Sequence, residues 1–131
     1  MRKQKSRMLV VDDLYAHRTI ILQHLEDSGY PVQSFVTPEE VGDKIRECDV
    51  VIMDVQYGRE RPFAGIDYIV EQIRNGVIDP EKTTIIFKSM WGRRPELVEH
   101  LQKVSKFEWW DCSEGLELTE LRKILKRSQS R

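Results

Sequence analysis

The sequence has no apolar run long enough to cross a bilayer, and its basic opening residues are not followed by a signal-type apolar segment longer than one strand. A soluble, cytoplasmic protein is the expectation. Cysteine is scarce: Cys48 and Cys112 are the only two and lack metal-type spacing, so reduced structural thiols are expected rather than a disulfide framework or a zinc site. His17, His24 and His100 show no ligand spacing with one another or with the thiols and read as surface histidines. An excess of one charge is lacking too. A net charge of −1 gives no general attraction to nucleic acid. The basic residues gathered near the two ends, Arg2, Lys3, Lys5 and Arg7 and then Arg122, Lys123, Lys126, Arg127 and Arg131, read as solvated tails. Internal repeats and low-complexity stretches are also absent.

What is present fits one globular domain over residues 1–131, with a core from about 7 to 126, because 40% hydrophobic residues suffice to build a core and 33% charged residues keep its surface solvated. The organising stretch is Asp49-Val50-Val51-Ile52-Met53-Asp54, a short, mostly β-branched apolar run of the kind found in parallel sheets covered on both faces. Asp54 falls at its carboxyl end. In open α/β sheets that edge is where ligands bind. Met8-Leu9-Val10-Val11 is a second such run and also stops on acid, at Asp12-Asp13. If these strands are parallel neighbours, three carboxylates crowd one end of the sheet, where like charges raise one another's pKa unless a cation sits among them. A hard divalent ion such as Mg²⁺ takes oxygen ligands, so the cluster is a candidate metal and phosphoryl site.

Helical spacing over Leu14 to Ser28 brings Ile21, Leu22 and Leu25 to one face, and Gly29 is a plausible stop. Tyr30 to Phe35 reads as a strand. Thr37-Pro38-Glu39-Glu40 carries a cap, a first-turn proline and a capping-box acid, which predicts a short helix to about Arg46. After the strand ending near Val55, Gln56 to Ala64 reads as a charged loop. Gly65-Ile66-Asp67 opens a helix closed by Asn75-Gly76. Thr83 to Phe87 is a fourth strand ending at Lys88-Ser89. Arg94-Pro95-Glu96 opens a helix with Leu97, Val98, Leu101 and Val104 facing inward. Phe107 to Trp110 is a fifth strand, and Leu116 to Leu125 a last helix. Strand and helix alternate five times, which right-handed crossovers turn into a doubly wound parallel sheet with helices on both faces.

With the acids placed, the chain resembles the receiver domain of two-component response regulators from about Arg7 to Lys126. The residues that carry the likeness are Val10-Val11-Asp12-Asp13, Val51-Ile52-Met53-Asp54, Gly65-Ile66-Asp67 and Ser89. The resemblance implies a flavodoxin-like sheet in the order 2-1-3-4-5 and phosphorylation of Asp54 by a histidine kinase or phosphotransfer protein. It also implies Mg²⁺ held by Asp13, Asp12, Asp54 and the backbone carbonyl of Gln56. By the same likeness Ser89 contacts the phosphoryl oxygen, and an aromatic on the fifth strand, Trp109 or Trp110, changes rotamer. A downstream protein effector and a homodimer through the fourth helix, fifth strand and fifth helix, here Leu97 to Lys126, are implied as partners.

Two departures stand out. Receivers carry a lysine at the end of the fifth strand, whereas this chain reads Trp110-Asp111-Cys112-Ser113-Glu114-Gly115 with no basic residue. Lys88, Arg59 and Arg61 are the candidate substitutes. Strand alternation points Lys88 away from the face of Ser89 unless the strand has already ended, and a charged loop is more simply solvated. The loop after Asp54, which carries both arginines, is also longer than the common pattern. The missing lysine leaves open a pseudo-receiver, a docking module without phosphorylation. A haloacid-dehalogenase-type phosphatase needs a second acid two residues after the nucleophile, and Val55-Gln56 do not supply it. Trp91-Gly92-Arg93-Arg94 is a candidate partner-binding segment.

Overall fold

The computed structural model describes residues 5–92 and 94–129, so Arg2, Lys3, Arg93 and Arg131 lie outside the described residues. Five strands, β1 (Met8–Val11), β2 (Val32–Phe35), β3 (Val50–Asp54), β4 (Thr84–Ser89) and β5 (Glu108–Asp111), form one parallel sheet in the order β2-β1-β3-β4-β5. Helices α1 (Tyr15–Asp27), α2 (Ala64–Arg74), α3 (Pro95–Leu101) and α4 (Leu118–Gln129) alternate with them, together with two 3₁₀ segments at Pro38–Glu40 and Gly42–Glu47.

Strand alternation splits the interior into two layers. Leu9, Val11, Val51, Met53, Ile85 and Phe87 point to one face, where Val41, Ile45, Ile66, Ile69, Leu97 and Leu101 from the 3₁₀ segments, α2 and α3 cover them. Met8, Val10, Val50, Ile52, Ile86 and Trp110 point to the other, under Ile21 and Leu25 of α1 and Leu121, Ile124 and Leu125 of α4. This two-sided burial makes the apolar parts of β1, β3 and β4, Met8 to Val11, Val50 to Met53 and Ile85 to Phe87, read as unbroken runs. It also aligns the ends of β1 and β3, since Val11 pairs with Met53, so that Asp12 and Asp54 leave the sheet side by side.

Several local expectations need correction. The helix expected over 37–46 is two 3₁₀ segments. Gly42, which opens the second, has φ +55°, a left-handed conformation that an α-helix cannot carry through. The Thr37 side chain caps nothing, while the Glu40 carboxylate accepts the Val36 N–H at 3.3 Å. Val98 faces solvent rather than the core, because α3 is only two turns long and docks through Leu97 and Leu101. His100 is not a bare surface residue: it stacks on Phe63 with ring centroids 4.1 Å apart and meets Asp67 at 2.7 Å, tying α3 to α2. Both cysteines are free and buried, and burial pushes their thiols up, to about 12 for Cys48 and about 11 for Cys112, which leaves them poor nucleophiles. Among the described residues no helix is long and apolar enough to cross a membrane.

Candidate functional site

The carboxyl edge of β1 and β3 gathers Asp12, Asp13 and Asp54, each offering an oxygen within 4.8 Å of the others. Asp12 is fully buried. Its Oδ1 accepts the Leu14 N–H at 2.9 Å, which turns the chain into α1, and its backbone carbonyl accepts from the Arg18 guanidinium at 2.7 Å. Asp13 is half-buried, and burial followed by the Asp12 charge raises its pKa. Asp54 is buried at the end of β3. Burial pushes its carboxyl up to about 8; Lys88 opposes that rise, while Asp12 and Asp13 add to it.

Two close contacts hold Asp54 in place. Gly65, at the start of α2, donates its N–H to the Val55 carbonyl at 3.0 Å, and a Cβ added there would lie 1.9 Å from the carbonyl oxygen of Asp54. Only glycine lets α2 come this close. Tyr57, buried in the loop that follows, donates its hydroxyl to the Val11 carbonyl at 2.9 Å and so pins that loop to the end of β1. The sequence offered no signal for the role of Tyr57 or of Arg18.

A cavity of about 300 Å³ opens over these acids. Asp13 and Asp54 face it, with Leu14, Val55, Gln56, Gly58, Arg59, Ser89, Met90 and Trp91 around its wall. Asp12 is not among the lining residues, and neither is Lys88. Three converging carboxylates are an all-oxygen donor set, and Asp54, its carboxyl raised by burial and then, against the opposing Lys88 charge, by Asp12 and Asp13, would be relieved by a further cation. Both properties fit a hard divalent cation of the Mg²⁺ kind.

No protein-family model and no curated protein sequence matches the chain. Solved structures do. Chemotaxis protein CheY4 of Vibrio cholerae is similar at 22% identity and a TM-score of 0.75, over 94% of this chain and 98% of that one. A CheY-like response regulator receiver domain from Methanospirillum hungatei JF-1 is similar at 20% identity and a TM-score of 0.70, over 96% and 94%. The receiver domain of the histidine kinase CKI1 from Arabidopsis thaliana, solved with Mg²⁺ and BeF₃⁻, is similar at 20% identity and a TM-score of 0.72, over 96% and 91%. The chain has the receiver fold.

Within this receiver fold the expected site residues fall in different places. Ser89, at the end of β4, is buried on the cavity wall; its hydroxyl donates to the Trp91 carbonyl and accepts the Trp91 N–H at 3.0 Å. Trp109 pairs with Phe87 and so shares the sheet face of Phe87 and Ser89. Trp110 is on the opposite face with no exposed surface, its indole N–H donating to the Glu117 carbonyl at 3.1 Å, which makes it a fixed core ring. Arg59 lines the opening from an exposed position. Arg61 does not reach back over the acids: both its terminal nitrogens bond the Glu39 carboxylate at 2.8 Å.

Lys88 lies on the face that alternation predicts, and that face is not remote from the acids. β4 continues through Ser89, and alternation does turn Lys88 away from the face of Ser89. The face Lys88 turns to, however, is the one Asp54 shares, because Asp54 and Lys88 are register partners in neighbouring parallel strands. Lys88 Nζ lies 2.9 Å from Asp12 Oδ2 with neither side chain exposed. The angles of this ion contact are poor for a hydrogen bond, so among the described residues neither atom has a well-aligned partner. His17, expected at the surface, is half-buried on α1 and close enough to Lys88 to be affected, its pKa lowered by burial and then by that ammonium.

Proposed function

We propose that this chain is a phospho-acceptor receiver of a two-component system, taking a phosphoryl group on Asp54 from a phosphohistidine of a kinase or phosphotransfer protein. The observation that carries this reading is the convergence of Asp12, Asp13 and Asp54 within 4.8 Å at the carboxyl edge of the sheet, under an opening wide enough to admit a phosphoryl group. Receiver domains among the similar structures are described with BeF₃⁻ and with Mg²⁺, which agrees with it.

Asp54 acts as the nucleophile. An oxygen lone pair forms the bond to phosphorus while the bond from phosphorus to the donor nitrogen breaks, and its electron pair stays with the imidazole. Asp13, Asp54 and Asp12, with the Gln56 carbonyl, would hold Mg²⁺, which when bound would neutralise charge on the transferring phosphoryl group. Ser89 exchanges its bonds to the Trp91 backbone for a phosphoryl oxygen, and the shift of the 89–91 segment reaches Trp109 on the same face. The surface of α3, β5 and α4 carries the response to a protein effector or a second copy. The chain is thus a switch rather than an enzyme with turnover.

Incubation with Mg²⁺ and acetyl phosphate is expected to add one phosphoryl group to the wild type and none to Asp54→Asn, read by intact mass. Uptake by neither protein overturns the reading. A phosphorylation-independent docking module is the second reading, favoured by the absence of any basic residue between Trp110 and Gly115. A Mg²⁺ titration that leaves thermal stability unchanged would select it.

A further inference from the structure

We propose that Lys88 is the phosphoryl-binding cation of this site, supplied from β4 and parked against Asp12 until Asp54 is phosphorylated. The proposal rests on the receiver reading above and adds to it a residue, a position and a resting partner.

Four observations carry it. Lys88 is the only basic residue buried among the described residues, and an ammonium taken out of water is a heavy cost that an apolar side chain at the same strand position would avoid. Its three donors are not all spent, since among the described residues its one polar contact is the ion pair with Asp12 Oδ2 at 2.9 Å, which is poorly aligned for a hydrogen bond. Its place is fixed relative to Asp54: the two residues are register partners, and the Lys88 carbonyl accepts the Val55 N–H at 3.0 Å. Finally, the Lys88 charge acts on Asp54, opposing the rise of its pKa, although Lys88 does not line the opening that Asp13 and Asp54 face.

The ammonium has a partner in both states. In the resting protein one ammonium offsets part of the charge of three carboxylates. After transfer Asp54 carries a phosphoryl group with two negative charges, a stronger attractor than Asp12, and the ammonium turns to its oxygens. Because Ser89 is the next residue, one strand end delivers both the cation and the hydroxyl, and Trp110 and Cys112 are left to pack in the core.

The test uses the full chain, with the wild type, Lys88→Met and Lys88→Arg compared in two assays. Losing a cation that competes for the acids makes Lys88→Met bind Mg²⁺ roughly tenfold more tightly. The same change slows phosphoryl uptake from acetyl phosphate at saturating Mg²⁺ by about tenfold or more, with Lys88→Arg in between. A merely structural loss would weaken both properties together, so movement in opposite directions is the signature. If Lys88→Met does not fold, Lys88→Gln carries the same expectation. Uptake at the wild-type rate in a folded variant overturns the proposal while the receiver reading stands. Uptake absent from the wild type removes both.

Discussion

Burial of Asp54 beside two other acids makes its ionisation an expense of the folded state, and the sign of the resulting pH dependence follows. Its pKa, raised from the ordinary carboxylate range to about 8, means that the folded chain holds a proton the unfolded chain has released. Metal-free stability therefore falls as pH rises from about 4 to about 8. Asp54→Asn removes this slope. Its melting temperature is expected to exceed that of the wild type by roughly 5 °C at pH 8 without metal, and the gap should close toward pH 4 in thermal scans. Gly65 is the opposite case, a site residue whose replacement harms the fold. Alanine there places Cβ against the Asp54 carbonyl and should cost about 2–3 kcal/mol in urea unfolding. The three acids were legible in the sequence because each follows an unbroken apolar run. Lys88 was only half legible. Alternation gave its face correctly, but the register that places Asp54 on that same face is a property of the assembled sheet.

At the scale of elements, the loop between β3 and α2 shows what a charged stretch conceals. Read as sequence, Arg59 and Arg61 dominate it; folded, its anchor is Tyr57, whose hydroxyl ties the loop to the end of β1, while Arg61 is spent on Glu39 at the surface. The two should separate by experiment. Tyr57→Phe leaves the buried Val11 carbonyl without its donor and should cost about 1–2 kcal/mol. Arg61→Ala is expected to leave both the melting temperature and phosphoryl uptake at wild-type values, since an exposed pair adds little. Helix starts were the less reliable part of the sequence reading. The Thr37 to Glu40 pattern is a genuine chain reversal, yet Gly42 turns its continuation into 3₁₀ geometry. Composition signals a start more readily than the type of turn that follows.

Across the whole molecule, two apolar layers hold the strands in register, and that register brings residues 12, 13, 54 and 88 together from three separate stretches of chain. The strand order was legible through likeness to receivers, since alternating strand and helix predicts a parallel sheet but not which strand lies beside which. A rigid frame around three carboxylates that one ammonium only partly offsets couples metal binding to global stability, because a folded chain offers Mg²⁺ three converging acids and an unfolded one does not. At a Mg²⁺ concentration about 100 times the dissociation constant the gain is about 2.7 kcal/mol, which for a domain of this size raises the melting temperature by on the order of 10 °C. Protons compete for the same oxygens. The increment should thus be largest near pH 8, where the metal relieves the ionisation of Asp54, and should shrink toward pH 5, where Asp54 holds a proton instead. Asp13→Asn, which removes a carboxylate facing the opening, should lose most of the increment at every pH. Thermal scans of both proteins across that range, with Mg²⁺ and with chelator, read the coupling directly; an increment independent of pH would mean that the ion binds somewhere other than these three acids.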